Sequence, residues 1–372
     1  MLRRLAASPA CRFSPFSLAR KAAPTAGNAV RTGPNDSALK PPCRAFVATR
    51  TGQSAPSPSS STTTPLVPFR THTPAPTAPP STPLVHTFYH NPTATWTYVL
   101  VCPQTRACAV VDSALDYDPS TQRVSTESAD GLLAFLEHEQ YTVVRILETH
   151  AHADHLTAAR YLQMRLSTDG APSVPIGIHR GIRTTQAHFG ALYDVPDAEI
   201  ERAFDELYDE GDKLEVGELK GEVWHLPGHT QCSAGFVFGE SVFTGDSVLL
   251  PPTGTARADF PSGSASALYA SASRLLSLPP HYRLFSGHSY PLSGASNLCS
   301  ATVAQQRELN PHVKSGTGED DFVRMRSERD KGLSEPRLLH QSLQVNIRGG
   351  RLPRGSNGEA YLRLPLRAPK GL

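Results

Sequence analysis

Three histidines and one aspartate fall within six consecutive residues of this chain, in the order H-x-H-x-D-H. They are His150, His152, Asp154 and His155. Imidazole nitrogens and carboxylate oxygens are good ligands for transition metals, so this density favours a metal site over a histidine-rich surface turn. Residues two apart on an extended chain point to the same side, which allows His150 and His152 to face one ion. The cluster therefore predicts a fold that holds a loop rigidly around metal.

The cluster follows an apolar, β-branched run at 142–147 that is typical of a buried strand. Three later segments repeat this arrangement. In each, a strand-like run ends in a turn containing glycine or threonine, and His229, Asp246 or His288 stands just past it. Loops at the ends of several strands build a site on a rigid scaffold, and the glycines let the backbone pass close to metal and substrate. Because an apolar helical pattern begins at Leu156, the order of elements indicates an α/β fold.

The order of these ligand-type residues resembles that of the metallo-β-lactamase superfamily. The seven positions are His150, His152, Asp154, His155, His229, Asp246 and His288. The resemblance implies an α/β fold of the αββα sandwich type, with the site at one edge of two packed sheets. We therefore expect a catalytic domain at 86–295 and a C-terminal extension at 296–372. The superfamily includes thioester hydrolases, lactamases, nucleases and oxygenases, so membership alone does not define a reaction.

Shorter motifs are similar to those of the persulfide dioxygenase (sulfur dioxygenase) family, which is related to glyoxalase II. They lie at 148–155, 245–250, 257–260, 308–311 and 342–353. This resemblance implies oxidation of glutathione persulfide by O₂ and water to sulfite and glutathione, a step of sulfide catabolism. It also implies one Fe(II) per chain, bound by His150, His229 and Asp246. Two imidazoles and one carboxylate leave coordination positions open for substrate and O₂.

A second interpretation of the metal site stays open, because all seven ligand positions are present. In a binuclear hydrolase of the glyoxalase II type, two metal ions would activate water for attack on a thioester. The remaining four ligand-type residues would then hold the second metal, whereas in a dioxygenase they would orient their neighbours. These four are His152, Asp154, His155 and His288. The resemblance favours the dioxygenase, since the helical C-terminal domain expected of a glyoxalase II is not apparent in the sequence.

Arg257 and Tyr290 are the further candidates for catalysis and substrate binding. Arg257 corresponds to the arginine of an Arg-x-Asp-Phe element in the resembled family, and its planar donor fork suits a glutathione carboxylate or an anionic persulfide. The alternative is a structural pair between Arg257 and Asp259. Tyr290 corresponds to a family tyrosine whose phenol is expected to hydrogen-bond substrate or a group at the metal. Ser289 stands where that family more often has aspartate, a departure that bears on the surroundings of His288.

The N-terminal region differs in composition from the rest of the chain. Residues 1–85 carry a formal charge of +9, against +2 for the whole chain, which leaves −7 for the remainder. A basic, acid-poor segment at 1–50 is typical of a mitochondrial transit peptide and predicts a matrix location, although plastid addresses and unaddressed tails have similar compositions. The Ser-, Thr- and Pro-rich segment at 51–85 predicts a disordered linker.

The same composition limits the partners that we expect. The acidic remainder shows no basic stripe with interleaved aromatic residues, so we expect no nucleic-acid partner. No run is long and apolar enough to span a bilayer. The six cysteines form no C-x-x-C pair, which argues against a zinc ribbon or a redox motif. Glutathione persulfide and O₂ are the expected partners, and a homodimer is among the alternatives for the oligomeric state.

Overall fold

The structure is a computed structural model that describes residues 63–167, 173–291, 295–366 and 368–369. The predicted leader at 1–50 and residues 51–62 of the predicted linker lie outside the described residues. The strands are β1 Arg70–His72, β2 Leu84–His90, β3 Thr95–Val101, β4 Ala107–Val111, β5 Ala114–Asp118, β6 Arg123–Ser125, β7 Thr142–Glu148, β8 Leu156–Thr157, β9 Ile176–His179, β10 Glu206–Tyr208, β11 Lys213–Val216, β12 Leu219–His225, β13 Ala234–Phe238, β14 Ser241–Gly245, β15 Arg283–Ser286 and β16 Ser300–Thr302. The helices are α1 Glu127–His138, α2 Ala159–Leu166, α3 Ile182–Tyr193, α4 Asp197–Glu201, α5 Ala265–Leu276, α6 Val303–Leu309, α7 Glu319–Lys331 and α8 Leu339–Asn346.

Two mixed sheets lie at the centre of the fold. The first has the strand order β1-β2-β3-β4-β7-β9-β10, and the second has the order β11-β12-β13-β14-β15-β16. Strands β4, β7, β9 and β10 run parallel, as do β14 and β15. A small third sheet, β6-β5-β8, includes the short strand that follows the H-x-H-x-D-H loop. Parallel neighbours bring the loops after their strands to one edge of the sheet, which is where the predicted ligands fall.

Alternating side chains of the first sheet are buried on both faces. Trp96 and Leu100 of β3 pack with Phe236 and Phe285 of the second sheet. Val99, between them in the strand, packs instead with the apolar sides of α1 and α2. Successive side chains of a strand point to opposite faces, so this two-sided burial requires layers on both sides. The alternation therefore places the first sheet between the second sheet and the helices.

The second sheet has its own helical cover. Leu268 and Ala272 of α5 and Phe322 of α7 pack with Val242 and Leu284 of β14 and β15. Helix α5 begins after Ser264, whose hydroxyl accepts a hydrogen bond from the Ala267 amide and so caps the helix. The order of layers is thus helix, sheet, sheet, helix, and the predicted αββα sandwich is confirmed.

The segment 63–85 differs from the disordered linker that its composition predicts. Strand β1 pairs antiparallel with β2, with Arg70 opposite Thr87. The Leu66 amide donates to the Gly131 carbonyl at 2.9 Å, and the absence of a side chain at Gly131 leaves room for the Leu66 side chain. Phe69 packs edge-on against Trp96, with ring centroids 5.1 Å apart. Edge-strand pairing and two apolar contacts are enough to fix this segment, so the linker prediction is wrong for 63–85.

The residues after 295, predicted as an extension, complete both halves of the sandwich. Strand β16 pairs with β15 at the edge of the second sheet. Helix α7 packs on α5, and α8 packs on β8 and α3. Among the described residues no helix has the length and apolar character needed to cross a membrane.

Candidate metal centre

The seven predicted ligands lie in the loops that follow β7, β12, β14 and β15. Six of them are buried, and only Asp154 is partly exposed. Glycines permit this crowding. Gly245 has φ 49°, and a Cβ on it would lie 2.4 Å from Oγ1 of Thr149. A Cβ on Gly287 would lie 2.6 Å from Oδ1 of Asp246. A larger residue at either position would push the ligand loops apart.

His150, His229 and Asp246 form the first group, in which one ligand atom of each residue lies within 4.8 Å of the others. Oδ2 of Asp246 is 3.9 Å from Nε2 of His150 and 3.7 Å from Nε2 of His229. Nε2 of His150 and Oδ1 of Asp246 are buried and have no hydrogen-bond partner among the described residues. Buried polar atoms normally have partners. The unpaired Nε2 of His150, which faces Oδ2 of Asp246, therefore fits a ligand to a bound metal ion.

Hydrogen bonds on the far side of each ring hold these histidines in place. The Thr149 hydroxyl donates to Asp112 at 2.8 Å and lies 3.0 Å from Nδ1 of His150, from which it can accept. Nδ1 of His229 donates to the Arg257 carbonyl at 2.8 Å. Both contacts leave Nε2 facing the centre, as metal-ligating histidines require. Burial, together with the neighbouring histidines, holds the pKa of His150 well below its usual value, which favours the neutral ring.

Asp154, His155 and His288 lie next to the first group. Nε2 of His288 is 3.4 Å from Oδ2 of Asp154 and 3.6 Å from Oδ2 of Asp246. Nδ1 of His288 donates to the Ala94 carbonyl at 3.1 Å. Nε2 of His155 is buried without a partner in the part of the chain that the structure describes. Oδ2 of Asp246 therefore lies close to His150, His229 and His288, and the ligand atoms of Asp154 and His288 converge with one of His152, a group with the chemistry to hold another ion.

His152 departs from the expectation that it shares an ion with His150. Its Nε2 is 3.1 Å from Oδ1 of Asp112 and 3.5 Å from Oε2 of Glu148, and all three side chains are buried. Burial alone would lower the pKa of His152, but these two carboxylates raise it well above the usual value. A ligand atom of His152 also lies within 4.8 Å of Asp154 and His288. Nε2 of His152 thus faces these carboxylates, although its ring lies beside that of His150, with centroids 4.1 Å apart.

Asp112 and Glu148 are site residues that sequence reasoning missed. Glu148 is the last residue of β7, and Asp112 directly follows β4, the neighbouring strand. Both Asp112 oxygens also bind Thr149, one through the amide at 2.7 Å and one through the hydroxyl. Asp112 could have been found from its place after β4, because neighbouring parallel strands end side by side and a carboxylate there lies close to the end of β7.

The Arg257 side chain is not free for substrate. Its Nε and Nη2 donate to the two oxygens of Asp259 at 2.6 and 2.7 Å, and its Nη1 donates to the Ser334 carbonyl at 2.7 Å. The structure therefore contains the structural pair with Asp259, and the predicted grip on an anionic substrate is not what the guanidinium does here. The link between this residue and the metal centre is its backbone carbonyl, which accepts from His229.

Helix α7 holds the loop that contains this carbonyl. Arg326 donates through Nη1 to the carbonyls of Thr255 and Ala256, at 3.2 and 3.1 Å. Its Nη2 donates to Asp330 at 2.6 Å, and Asp330 accepts from the Ala258 amide at 2.9 Å. Both side chains are almost fully buried. The ion pair thus fixes the backbone on either side of Arg257.

Tyr290 lies at the rim of the centre. Its ring stacks on His288, with centroids 5.4 Å apart and planes 15° from parallel, and about half of the residue is exposed. It lines a small cleft with Leu250, Pro252 and Thr253. Tyr290 therefore lies beside His288, burial raises the pKa of its phenol, and its role with substrate stays a prediction.

With this geometry in view, comparison with known proteins defines the class. The model of the metallo-beta-lactamase superfamily matches residues 90–288, and the chain belongs to that superfamily of metal-dependent hydrolases and related enzymes. The match spans all seven ligand positions.

The individual relatives are named for different activities. A beta-lactamase hydrolase-like protein of Xylella fastidiosa is 42% identical over 281 residues, 75% of this chain and 64% of that protein. The chain thus spans less than two thirds of the length of that relative. Glyoxylase B2 of Dictyostelium discoideum is 37% identical over 278 residues, covering 74% of this chain and 94% of the relative. The human mitochondrial persulfide dioxygenase ETHE1 is 28% identical over 261 residues, covering 69% and 85%.

Solved structures show the same fold. The crystal structure of ETHE1 from Myxococcus xanthus superposes with a TM-score of 0.56 at 25% identity, covering 72% of this chain and 99% of that one. A metallo-beta-lactamase from Staphylococcus aureus gives a TM-score of 0.54 at 20% identity, covering 72% of each chain.

Proposed function

We propose that this protein is an iron-dependent persulfide dioxygenase that oxidises glutathione persulfide with O₂ and water to sulfite and glutathione. The observation that carries the proposal is the group of two imidazoles and one carboxylate formed by His150, His229 and Asp246. His152, which would add a third imidazole, faces Asp112 and Glu148 instead. Such a group leaves several coordination positions open, as non-haem Fe(II) oxygenases require. The likeness to human and bacterial ETHE1 supports the proposal.

The chain's own residues would prepare this group for metal. Thr149 and the Arg257 carbonyl hold the two imidazole rings with Nε2 inward. Burial of the ligands keeps bulk water away from them. Bound Fe(II) would supply the one-electron chemistry that lets O₂ react with a persulfide. Tyr290, exposed at the rim, is in place to donate a hydrogen bond to an incoming anion.

A second candidate function is a binuclear thioester hydrolase. Oδ2 of Asp246 lies 3.6–3.9 Å from Nε2 of His150, His229 and His288, so one carboxylate can reach two ions. Two metal ions held by these residues would activate water for attack on a thioester. The names of the hydrolase-like and glyoxylase relatives agree with this alternative.

Metal analysis of anaerobically purified protein separates the two functions when it is paired with two activity assays. The assays are O₂ uptake with glutathione persulfide and hydrolysis of a glutathione thioester. For the dioxygenase we expect about one iron per chain and O₂ uptake. The variants His150→Ala, His229→Ala and Asp246→Ala should each lose both.

The matched control is His155→Ala, which removes a buried imidazole from the same loop but not from the first group. A dioxygenase should retain its iron in this variant. Two tightly bound zinc ions, thioester hydrolysis without O₂ uptake and equal metal loss in His150→Ala and His155→Ala would contradict the proposal.

We also propose that the protein acts in the mitochondrial matrix. The support is the charge distribution alone: residues 1–85 contain ten Arg and Lys and one Asp. Basic, acid-poor leaders of this kind direct import into mitochondria.

A further inference from the structure

A single amide connects the C-terminal helix α8 to the H-x-H-x-D-H loop. Nδ2 of Asn346 donates to the carbonyls of His152 and His155, both at 2.8 Å. Oδ1 of Asn346 accepts from the Thr157 amide at 2.9 Å. The Asn346 side chain is almost fully buried, so water does not share these contacts. One side chain thus satisfies three backbone groups of the loop that presents the predicted ligands.

Only a primary amide fits these three contacts. The loop turns two carbonyls and one N–H toward the same point, and a side-chain amide offers two donors and one acceptor on one rigid plane. A carboxylate of the same size would place an acceptor against two acceptors. A hydroxyl would supply one donor where two are needed. The contact therefore requires a side-chain amide at this position.

The backbone turn at the end of α8 holds Asn346 in position. The Gly349 amide donates to the Asn346 carbonyl at 3.0 Å, and the Gly350 amide donates to the Val345 carbonyl at 3.1 Å. Both glycines have positive φ, 62° and 87°, as helix-ending turns require. A Cβ on Gly349 would lie 2.0 Å from the Ala203 carbonyl oxygen. The Asn-Ile-Arg-Gly-Gly sequence at 346–350 thus binds the end of α8 closely to the body of the protein.

We propose that Asn346 is a positioning residue that keeps the 150–157 loop in its metal-binding shape. The two carbonyls that it holds flank Asp154, and they belong to residues whose rings line the centre. Thr157, which donates its amide to Asn346, also donates its hydroxyl to Glu148 at 2.7 Å. Glu148 in turn faces His152. The inference rests on the metal centre of the proposed function, and it holds for one metal or for two.

The test replaces Asn346 with an isosteric residue and measures metal binding directly. Asn346→Asp keeps the shape and removes both donors. The matched control is Gln344→Glu, which makes the same chemical change at another buried amide of α8. Gln344 donates to the carbonyls of His340 and Arg363 and so contacts the C-terminal tail, not the metal loop. The probe is Co(II), added to metal-free protein, with its visible absorption spectrum and its dissociation constant as readouts.

We expect Asn346→Asp to bind Co(II) about 10- to 100-fold more weakly and with an altered absorption spectrum, since partners behind the ligands tune metal sites to this extent. Gln344→Glu should retain both properties. Circular dichroism checks that each variant is folded. If Asn346→Asp does not fold, Asn346→Ser takes its place. It keeps one donor and should bind Co(II) more weakly than the wild-type protein does.

Wild-type cobalt affinity and spectrum in a folded Asn346 variant would overturn the inference. Equal losses in Gln344→Glu would do the same, because they would assign the effect to general packing of α8. Failure of the proposed function gives a different result. In that case the wild-type protein would lack persulfide-dependent O₂ uptake, while cobalt binding would still separate Asn346→Asp from Gln344→Glu.

Discussion

The buried ion pair of α7 gives the sharpest prediction about stability. Asp330→Ala leaves the Arg326 guanidinium buried without its carboxylate and leaves the Ala258 amide without its acceptor. Removing one partner of a buried, hydrogen-bonded pair costs about 3–5 kcal/mol. In a domain of this size each kcal/mol lowers Tm by about 2–4 °C, so we expect a fall of roughly 6–20 °C.

The measurement is urea or thermal unfolding of metal-free protein, because bound metal would add its own stabilisation to the wild type. The control is Asp321→Ala on the same helix. Asp321 pairs with Arg324, and both side chains are about 70% exposed. An exposed pair contributes about 0–1 kcal/mol, so this variant should unfold close to the wild type. An Asp330→Ala protein that is as stable as Asp321→Ala would refute the argument that this pair supports the loop around Arg257.

Three further outcomes are expected. Arg257→Ala should keep its metal, because His229 binds the backbone carbonyl of residue 257 and not its side chain. It should lose only about 0–1 kcal/mol of unfolding free energy, because the pair with Asp259 is partly exposed. Loss of metal from this variant would contradict the first expectation. Burial, together with nearby Arg326, lowers the pKa of His312 to about 4. As the pH falls, His312 is protonated in the unfolded chain before it is protonated in the folded protein. The free energy of unfolding should therefore decrease as the pH is lowered from 6.5 to about 4. His312→Gln should show a smaller slope in denaturant titrations across that range. A fluorescent protein fused to residues 1–85 should enter mitochondria, and diffuse cytosolic fluorescence would count against the address.

The sandwich and the places of the ligands could be predicted because their signals are local. A strand such as β7 is apparent in a few β-branched residues, and the turn after it contains the ligands. The glycine before Asp246 and the one before His288 mark close approach of the backbone, which the structure shows at both positions. Residues that act at the ends of strands can therefore be located from short stretches of sequence.

The orientation of side chains within the centre could not be predicted in the same way. His152 faces Asp112, a residue of a different strand end, and the Arg257 fork is occupied by Asp259 and by the Ser334 carbonyl. The composition of 63–85 gave no sign that edge pairing would fix it. The Arg257–Asp259 pair joins residues two apart and was among the alternatives seen in the sequence, whereas Asp112, the Ser334 carbonyl and the partners of 63–85 are brought close only by the folded chain.

The contact between Asn346 and His152 joins residues 194 positions apart in the chain. Contacts of such long sequence separation form late, because the intervening loop must first be closed. All seven ligand-type residues precede position 289, whereas Arg326, Asp330 and Asn346 come after it. A growing chain that has just passed His288 thus has every ligand but none of these supports. We expect metal uptake to follow the completion of synthesis.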